Sequence, residues 1–223
     1  MHGWGGTQIN FKGVIDYLQL TSANFKCINL DFPPFGSSSC PESVLTIYDY
    51  AEMIFQFLTE IKIDKVNIVA HSFGGRVALI LASQHGEIIS KLILTDSAGL
   101  KARYSLIKKF KIFKYKVAKY LQRKNLLKID LSKYGSADYK LLNQVMKKTF
   151  INVVNADLTD KLSLITAPTL IFWGKNDKAT PLYMAKTLHK RIKNSQLVIC
   201  EGGHYAYLDC FEMFVKNLIV FLG

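Results

Sequence analysis

The chain has 223 residues, 49% of them hydrophobic, and a formal net charge of +12 at neutral pH. This length suits one domain with a decorated loop, and this hydrophobic content buries a substantial core, which excludes a disordered chain. No stretch approaches the roughly 20 apolar residues of a membrane-spanning helix, and no charged segment followed by an apolar one opens the chain, so we expect a cytoplasmic protein. Nucleic-acid binding is not expected, because the basic and aromatic residues follow helical spacing and match no RNA- or DNA-binding module.

Helix and strand patterns alternate over the first hundred residues. Helical patterns cover residues 8–20, 43–61 and 73–84, and strand patterns cover residues 25–30, 66–70 and 91–95. This alternation predicts an α/β fold, in which helices flank a mostly parallel sheet.

The strand pattern at residues 66–70 is followed by a serine whose neighbours permit a sharp turn. Ala70 and Gly74 lie two residues to either side of Ser72, and both are small, as an abrupt strand-to-helix turn requires. A hydroxyl at such a turn stands clear of the sheet edge, and the next backbone N–H points toward the oxygen of a bound carbonyl. The pattern predicts that Ser72 is a nucleophile and that the Phe73 N–H is an oxyanion donor. An ordinary serine in a strand-to-helix turn is the alternative.

After residue 100 the alternation stops, and residues 101–155 show only helical patterns. We therefore predict a helical lid at 101–155, inserted into a core formed by residues 1–100 and 156–223. Residues 101–150 hold 15 Lys or Arg and two Asp, so this segment has a charge of +13 and the rest of the chain has −1. Within 104–127 the apolar residues share one helical face and the basic residues lie opposite, which predicts a basic amphipathic helix.

Three roles for this basic helix stay open. Its apolar face could cover the active site while its lysines are solvated, and this is the alternative we favour. It could instead lie on an anionic lipid surface, or bind an acidic carrier protein that presents an acyl substrate.

Strand patterns resume at residues 169–173 and 196–200, and each is followed by a candidate site residue. Asp177 follows the first on a loop, and His204 follows the second after two glycines that let the loop turn back over the sheet edge. Because the C-terminal ends of parallel strands share one edge of the sheet, Ser72, Asp177 and His204 are expected to meet there. We predict that His204 is the base and that Asp177 orients it.

Other polar residues near these strands have alternative interpretations. Asp96 follows residues 91–95, where an acid could also serve His204, but Asp177 lies in the fuller pattern and is favoured. We expect His71 and His2 to support the site through packing or hydrogen bonds, not to transfer protons.

The four cysteines are Cys27, Cys40, Cys200 and Cys210, and no two form a C-x-x-C pair. Reduced thiols packed in the core are therefore expected. No histidine or cysteine lies at metal-ligand spacing, so we expect neither a metal nor a cofactor.

Taken together, the motifs resemble those of the α/β-hydrolase superfamily, of the lid-bearing serine esterase type. Residues 2–6, His-Gly-Trp-Gly-Gly, are similar to the family's H-G-x-G oxyanion loop, and residues 31–38 are similar to its D-x-P-G-x-G-x-S turn, with Pro34 in place of a glycine. The resemblance implies the α/β-hydrolase fold, Trp4 N–H as the second oxyanion donor, and hydrolysis of a carboxylic ester through an acyl-enzyme. Some esterases with an H-G-W-G loop act on acyl carrier protein esters through a basic lid.

The family places a central strand before the oxyanion loop, and this sequence has only Met1 before His2. The likeness is thus to an N-terminally truncated α/β-hydrolase. Three explanations stay open: a start assigned too late, a sheet that closes up by pairing its remaining strands, or a degraded relative. We favour the first.

The same triad also serves hydrolysis of carbon–carbon bonds, of peptide-type bonds and of thioesters, so all three stay open beside ester hydrolysis. A protein of another class, a non-catalytic binding protein with a hydrolase-like fold, is the further alternative.

Overall fold

The computed structural model describes residues 1–21, 25–101 and 142–223, and the single positions 113, 114, 117, 120 and 122. In this part of the chain the strands are β1 (Val66–His71), β2 (Ile89–Thr95), β3 (Thr169–Gly174) and β4 (Ser195–Cys200). The α-helices are α1 (Lys12–Thr21), α2 (Ile47–Glu60), α3 (Phe73–Gln84), α4 (Gln144–Asn155), α5 (Tyr183–Arg191), α6 (Ala206–Asp209) and α7 (Phe211–Leu222). Short 3₁₀ helices lie at Gln8–Phe11, Gly86–Ile88 and Thr159–Leu164.

The four strands form one parallel sheet in the order β1-β2-β3-β4. Their registers align Ala70 with Leu94, and Leu94 with Ile171, so the C-terminal ends of the strands lie along one edge. Since Ser72, Asp177 and His204 all follow strand ends, the sheet carries them to the same side of the molecule. The predicted α/β fold is confirmed.

The strand side chains alternate between two hydrophobic cores, one on each face of the sheet. Leu94 and Trp173 belong to the larger core, which also takes up buried residues of α2, α3 and α5. Ile93 and Phe172 belong to the smaller core, with buried residues of α1 and α7. Because residues in adjacent positions of a strand point to opposite faces, a strand covered on both faces is buried at every residue, as β3 is, and its middle residues 170–173 are all apolar.

Helix boundaries follow local capping chemistry. The sequence pattern predicts a helix over residues 43–61, and α2 begins at Ile47 because Thr46 caps it: the Thr46 side chain accepts from the Asp49 N–H, and Asp49 accepts from the Thr46 N–H. The helix predicted over residues 8–20 is divided into the 3₁₀ helix Gln8–Phe11 and α1, with Thr7 as the cap of the first.

The strand predicted over residues 25–30 is not formed, and this prediction was wrong. The segment has no strand partner, and a groove separates it from β1. Beside β1 lies Met1 instead: its amino group donates to the Val69 carbonyl at 2.7 Å, and its carbonyl accepts from the His71 N–H at 3.0 Å. These two bonds continue a parallel ladder for one residue only. A strand needs a hydrogen-bonded neighbour, so residues 25–30 fail to form one despite a suitable pattern.

The groove between β1 and residues 25–30 consists of two cavities, of about 330 Å³ and about 70 Å³. Val66, Asn67 and Val69 of β1 line both, with residues 25–29 on the far wall of the larger one. The sheet therefore does not close up by pairing its remaining strands, which was one of the three explanations considered from the sequence.

Most of the predicted lid, residues 101–155, lies outside the described residues, so its boundaries stay a prediction. Helix α4 occupies the last part of that range and packs Met146, Thr149 and Val153 inward. Positions 113, 114, 117, 120 and 122 are helical, and the side chains of Phe113 and Val117, on the predicted apolar face, are 62% and 40% exposed. None of the helices within the described ranges combines the length and apolarity needed to cross a membrane.

Candidate active site

Ser72 occupies the sharp turn between β1 and α3. Its backbone has φ 50° and ψ −110°, in the left-handed half of conformational space that residues with a side chain rarely adopt. The turn is held from two sides, because the Ser72 N–H donates to the Thr95 carbonyl at 3.2 Å and the Ser72 carbonyl accepts from the Ala98 N–H at 2.9 Å. The neighbouring backbone leaves no space at Gly74, where a Cβ would lie 2.5 Å from the Met1 carbonyl oxygen.

Ser72, His204 and Asp177 form one chain of hydrogen bonds. The Ser72 Oγ lies 3.0 Å from His204 Nε2, and His204 Nδ1 lies 2.8 Å from Asp177 Oδ2. A carboxylate only accepts, so His204 Nδ1 carries a proton and Nε2 is free to accept one from the serine hydroxyl. A hydroxyl, an imidazole and a carboxylate bonded in this order form the arrangement that activates a serine as a nucleophile.

The carboxylate of Asp177 is buried and held as an anion by its loop. Its Oδ1 accepts from the N–H groups of Ala179 at 2.7 Å and Thr180 at 3.0 Å, and its Oδ2 accepts from the Thr180 hydroxyl at 2.5 Å. Burial acts to raise the pKa of Asp177, but the hydrogen bonds from His204 and Thr180 outweigh it and hold the pKa below its usual value. Asp177 is therefore ionised at neutral pH.

The loop at residues 2–6 lies directly against the Ser72 turn. A Cβ on Gly3 would lie 3.3 Å from the Ser72 Cβ and 2.9 Å from His71 Nδ1. The His2 carbonyl accepts from the Gly74 N–H at 3.0 Å, which ties the loop to the first turn of α3.

His2 fixes the shape of this loop. Its Nε2 accepts from the Phe32 N–H at 2.9 Å, so its Nδ1 carries the proton and donates to the Gly3 carbonyl at 2.7 Å. Burial lowers the pKa of His2, in keeping with a neutral ring. His2 thus braces the loop in the way its position predicts.

Two backbone donors beside Ser72 have no acceptor among the described residues, namely the N–H groups of Phe73 and Trp4. Phe73 is the first residue of α3, where the backbone N–H has no partner within the helix. The Trp4 ring packs edge-on against Phe73, Phe35 and Phe150, with centroids 5.1 to 5.3 Å apart, and these contacts fix the loop beside the helix start.

The sequence model of the alpha/beta hydrolase fold family matches residues 1–124, more than half of the chain. The chain is an α/β-hydrolase. A second model, described as TAP-like protein, matches residues 143–220 of this hydrolase.

The hydrolase is similar to curated proteins and solved structures over nearly its whole length. An uncharacterized hydrolase of Bacillus subtilis, YugF, is 27% identical, and the match covers 100% of this chain and 88% of the relative. A 2-hydroxy-6-oxononadienedioate/2-hydroxy-6-oxononatrienedioate hydrolase of Pseudomonas putida is 26% identical over 99% of this chain and 83% of its own. The structure of an esterase from Exiguobacterium antarcticum superposes with a TM-score of 0.75 at 25% identity, covering 99% of this chain and 89% of that one.

The hydrolase also has polar contacts at the site that sequence reasoning missed. The Thr180 hydroxyl lies 2.5 Å from Asp177 Oδ2 and 3.3 Å from His204 Nδ1, so it contacts both Asp177 and His204. A Thr three residues after an Asp in a loop is a signal for such a turn, since an aspartate side chain accepts from backbone N–H groups two or three residues ahead.

Asp96, the alternative acid, lies near Asp177 and His204 but is not the acid bonded to His204 Nδ1. Both of its carboxylate oxygens accept from backbone N–H groups, and the hydrogen bond from His204 Nδ1 goes to Asp177. Within the described ranges, no group of three His, Cys, Asp or Glu side chains is placed to hold a metal ion.

Proposed function

We propose that this α/β-hydrolase cleaves a carboxylic ester through a covalent acyl-enzyme on Ser72. The observation that carries the proposal is the continuous hydrogen-bonded chain from Ser72 Oγ through His204 to Asp177. The structural similarity to an esterase supports this substrate class.

The first half of the reaction forms the acyl-enzyme. His204 Nε2 takes the hydroxyl proton of Ser72 as its Oγ attacks the ester carbonyl carbon, and the resulting imidazolium is stabilised by the Asp177 carboxylate. When the tetrahedral intermediate collapses, the C–O bond to the alcohol breaks, and His204 gives the proton to the departing oxygen. In the second half, His204 takes a proton from a water molecule as the water oxygen attacks the acyl carbon. The bond from that carbon to Ser72 Oγ then breaks, His204 returns the proton to Ser72, and the carboxylic acid leaves.

The N–H groups of Phe73 and Trp4 are the donors proposed for the oxyanion of the tetrahedral intermediate. Neither has an acceptor in the part of the chain that the structure describes, and both belong to backbone held in place beside Ser72. Removing one such donor typically raises the barrier by about 3 to 4 kcal/mol. The bond from the Gly74 N–H to the His2 carbonyl therefore matters for rate, since it fixes the loop that carries Trp4.

A fluorescent fluorophosphonate tests the proposal without knowledge of the natural ester. We expect it to label Ser72, located by mass spectrometry, and we expect Ser72→Ala to abolish both labelling and the hydrolysis of short-chain p-nitrophenyl esters. The matched control is Ser83→Ala, which removes a hydroxyl bonded to the Ile80 carbonyl in α3 and should leave both unchanged. A folded protein that is neither labelled nor hydrolytic would contradict the proposal and favour a non-catalytic binding protein.

Hydrolysis of a carbon–carbon bond is the second candidate, because the Pseudomonas putida relative is a 2-hydroxy-6-oxononadienedioate/2-hydroxy-6-oxononatrienedioate hydrolase. The same serine, histidine and acid can serve that chemistry. A direct comparison of kcat/KM for p-nitrophenyl butyrate and for 2-hydroxy-6-oxononadienedioate separates the two. If kcat/KM is at least about tenfold higher for the dienedioate, hydrolysis of a carbon–carbon bond replaces ester hydrolysis as the proposed activity.

A further inference from the structure

Asp96 is a buried acid at the C-terminal end of β2, the strand that contributes no member of the hydrogen-bonded chain. Its side chain is fully buried, and its backbone has φ 45°, which is strained for a residue other than glycine. Such strain persists only where the surroundings hold the residue firmly, so its contacts need an explanation.

The two oxygens of the Asp96 carboxylate bind two different loops. Oδ1 accepts from the Gly174 N–H at 2.9 Å, at the end of β3 where the loop to Asp177 begins. Oδ2 accepts from the Ala206 N–H at 2.8 Å, two residues after His204. One side chain thus connects the backbone that carries the acid to the backbone that carries the base.

The backbone of Asp96 adds a third connection. Its carbonyl accepts from the Thr180 hydroxyl at 3.0 Å, and the same hydroxyl lies 2.5 Å from Asp177 Oδ2. A hydroxyl has one proton, so these two acceptors share it in turn. The Asp96 N–H in addition donates to the Phe172 carbonyl of β3 at 3.2 Å.

We propose that Asp96 is a positioning residue that sets the geometry of the Asp177–His204 pair by tying their two loops to the end of β2. The proposal deepens the proposed function and rests on it for its kinetic readout. The Ser72 hydroxyl is bonded to His204 and not to Asp96, so Asp96 acts through the two loops alone.

The chemistry of the contacts requires a carboxylate at this position. Its three neighbours are all donors, namely the N–H groups of Gly174 and Ala206 and the hydroxyl of Thr95, and a carboxylate accepts from all of them, whereas an amide presents one acceptor and one donor. Burial raises the pKa of Asp96 to about 6, against the two N–H groups, which lower it. Asparagine therefore keeps the shape of the residue and places an N–H group against the N–H of Gly174 or Ala206.

The test compares Asp96→Asn with Thr95→Val. The Thr95 hydroxyl donates to the same Asp96 carboxylate at 3.2 Å but connects no loop, and valine keeps the backbone carbonyl that accepts from the Ser72 N–H. Removal of the hydroxyl therefore controls for the loss of one hydrogen bond to this buried acid. In Asp96→Asn we expect kcat for p-nitrophenyl butyrate to fall on the order of 10²-fold, as for a misplacement of about 1 Å, with KM changed less than about twofold. Thr95→Val should retain kcat within about threefold.

A second readout is independent of any substrate. The proton on His204 Nδ1 gives a downfield resonance in the proton NMR spectrum, which we expect in the parent protein and in Thr95→Val, and which should shift or disappear in Asp96→Asn. If the resonance responds in this way but no ester is hydrolysed, Asp96 has the positioning role and the proposed substrate class fails.

Two outcomes would overturn the proposal: an Asp96→Asn protein with a lower melting temperature but unchanged kcat and unchanged resonance, or a Thr95→Val protein with the same losses as Asp96→Asn. Should Asp96→Asn fail to fold, Asp96→Gly replaces it. Glycine relieves the strain at φ 45° while removing the carboxylate bonds to both loops, so the same loss of kcat and of the resonance is expected.

Discussion

The imidazole of His71 donates a hydrogen bond of 2.7 Å to the backbone carbonyl of His204. A carbonyl only accepts, so His71 Nε2 carries a proton. Burial lowers the pKa of His71 to about 3, against the bond to the His204 carbonyl, which raises it, and the ring is neutral at physiological pH. His71, the residue before Ser72, therefore supports the loop that carries His204.

The lowered pKa of His71 makes the stability of the protein depend on pH. In the unfolded chain the His71 ring binds a proton below about pH 6.5, whereas in the folded chain it binds one only below about pH 3. Between about pH 3 and pH 6.5 the unfolded state therefore binds more protons than the folded state. The contribution of the neutral His71 ring to the free energy of unfolding is complete above pH 6.5 and is lost as the pH falls toward 3, at about 1.4 kcal/mol per pH unit. We expect His71→Gln to flatten the dependence of the free energy of unfolding on pH, measured by urea denaturation.

Exposed His189 provides the control for this pH dependence. A smaller slope in His71→Gln that is absent from His189→Gln would assign the pH dependence to the buried ring. Equal slopes for the parent and for His71→Gln would show that the His71 ring is protonated in the folded protein.

Gly74 is expected to be intolerant of any side chain. In Gly74→Ala the new Cβ would lie 2.5 Å and 2.6 Å from the carbonyl oxygens of Met1 and His2, both backbone atoms, so the loop at residues 2–6 must shift. We expect a loss of about 1 to 3 kcal/mol in the free energy of unfolding and a fall in kcat, since the same shift displaces Trp4.

The matched glycine is Gly13, which is exposed in α1 and whose added Cβ would meet only Phe211, at 3.9 Å. Gly13→Ala should raise the free energy of unfolding by up to about 1 kcal/mol, because alanine favours the helix, and should leave kcat unchanged. Comparable stability for the two alanine variants would contradict the close approach of Met1 and His2 to Gly74.

Replacement of Asp177, the proposed orienting acid, should affect rate more than folding. Asp177→Asn keeps the volume of the side chain but no longer stabilises the proton on His204 Nδ1, so we expect kcat to fall by about 10⁴-fold. Steady-state hydrolysis of p-nitrophenyl butyrate measures this loss, with exposed Asp160→Asn as the control. An Asp177→Asn protein with more than a tenth of the parent activity would mean that another acid serves His204.

Thr180 offers a test in which a conservative variant should restore activity. Thr180→Val removes the hydroxyl that donates to Asp177 Oδ2, so the pKa of Asp177 should rise and kcat should fall by about tenfold, whereas Thr180→Ser retains the hydroxyl and most of the rate. The measurement is the pH dependence of kcat/KM for all three proteins. Equal activity of the valine and serine variants would assign Thr180 a packing role only.

The members of the hydrogen-bonded chain could be predicted from the sequence because each follows a strand. Parallel strands bring their C-terminal ends to one edge, so Ser72, Asp177 and His204 had to lie on the same side of the sheet once the strand patterns were identified. Helix α3 was predicted at residues 73–84, as observed, since its hydrophobic pattern begins at the turn itself.

Features that depend on long-range contacts could not be predicted. Residues 25–30 have a strand pattern, but strand formation also requires a neighbour, and local sequence does not supply one. The role of Asp96 depends on the N–H groups of Gly174 and Ala206, which are 78 and 110 residues away in sequence. A single sequence shows that an acid is present at a strand end, but not which loops meet there.

The groove beside β1 divides the amides of that strand into two kinetic classes. Along a strand, the N–H groups of successive residues point in turn to one side and then to the other. The His71 N–H faces Met1, so the N–H groups of Asn67 and Val69 point to the same side, into the groove, where water reaches them. Those of Ile68 and Ala70 point to the other side and are bonded within the sheet to β2. Hydrogen exchange in the folded protein is therefore expected to alternate from fast to slow along one continuous strand, a pattern that a fully paired central strand does not show.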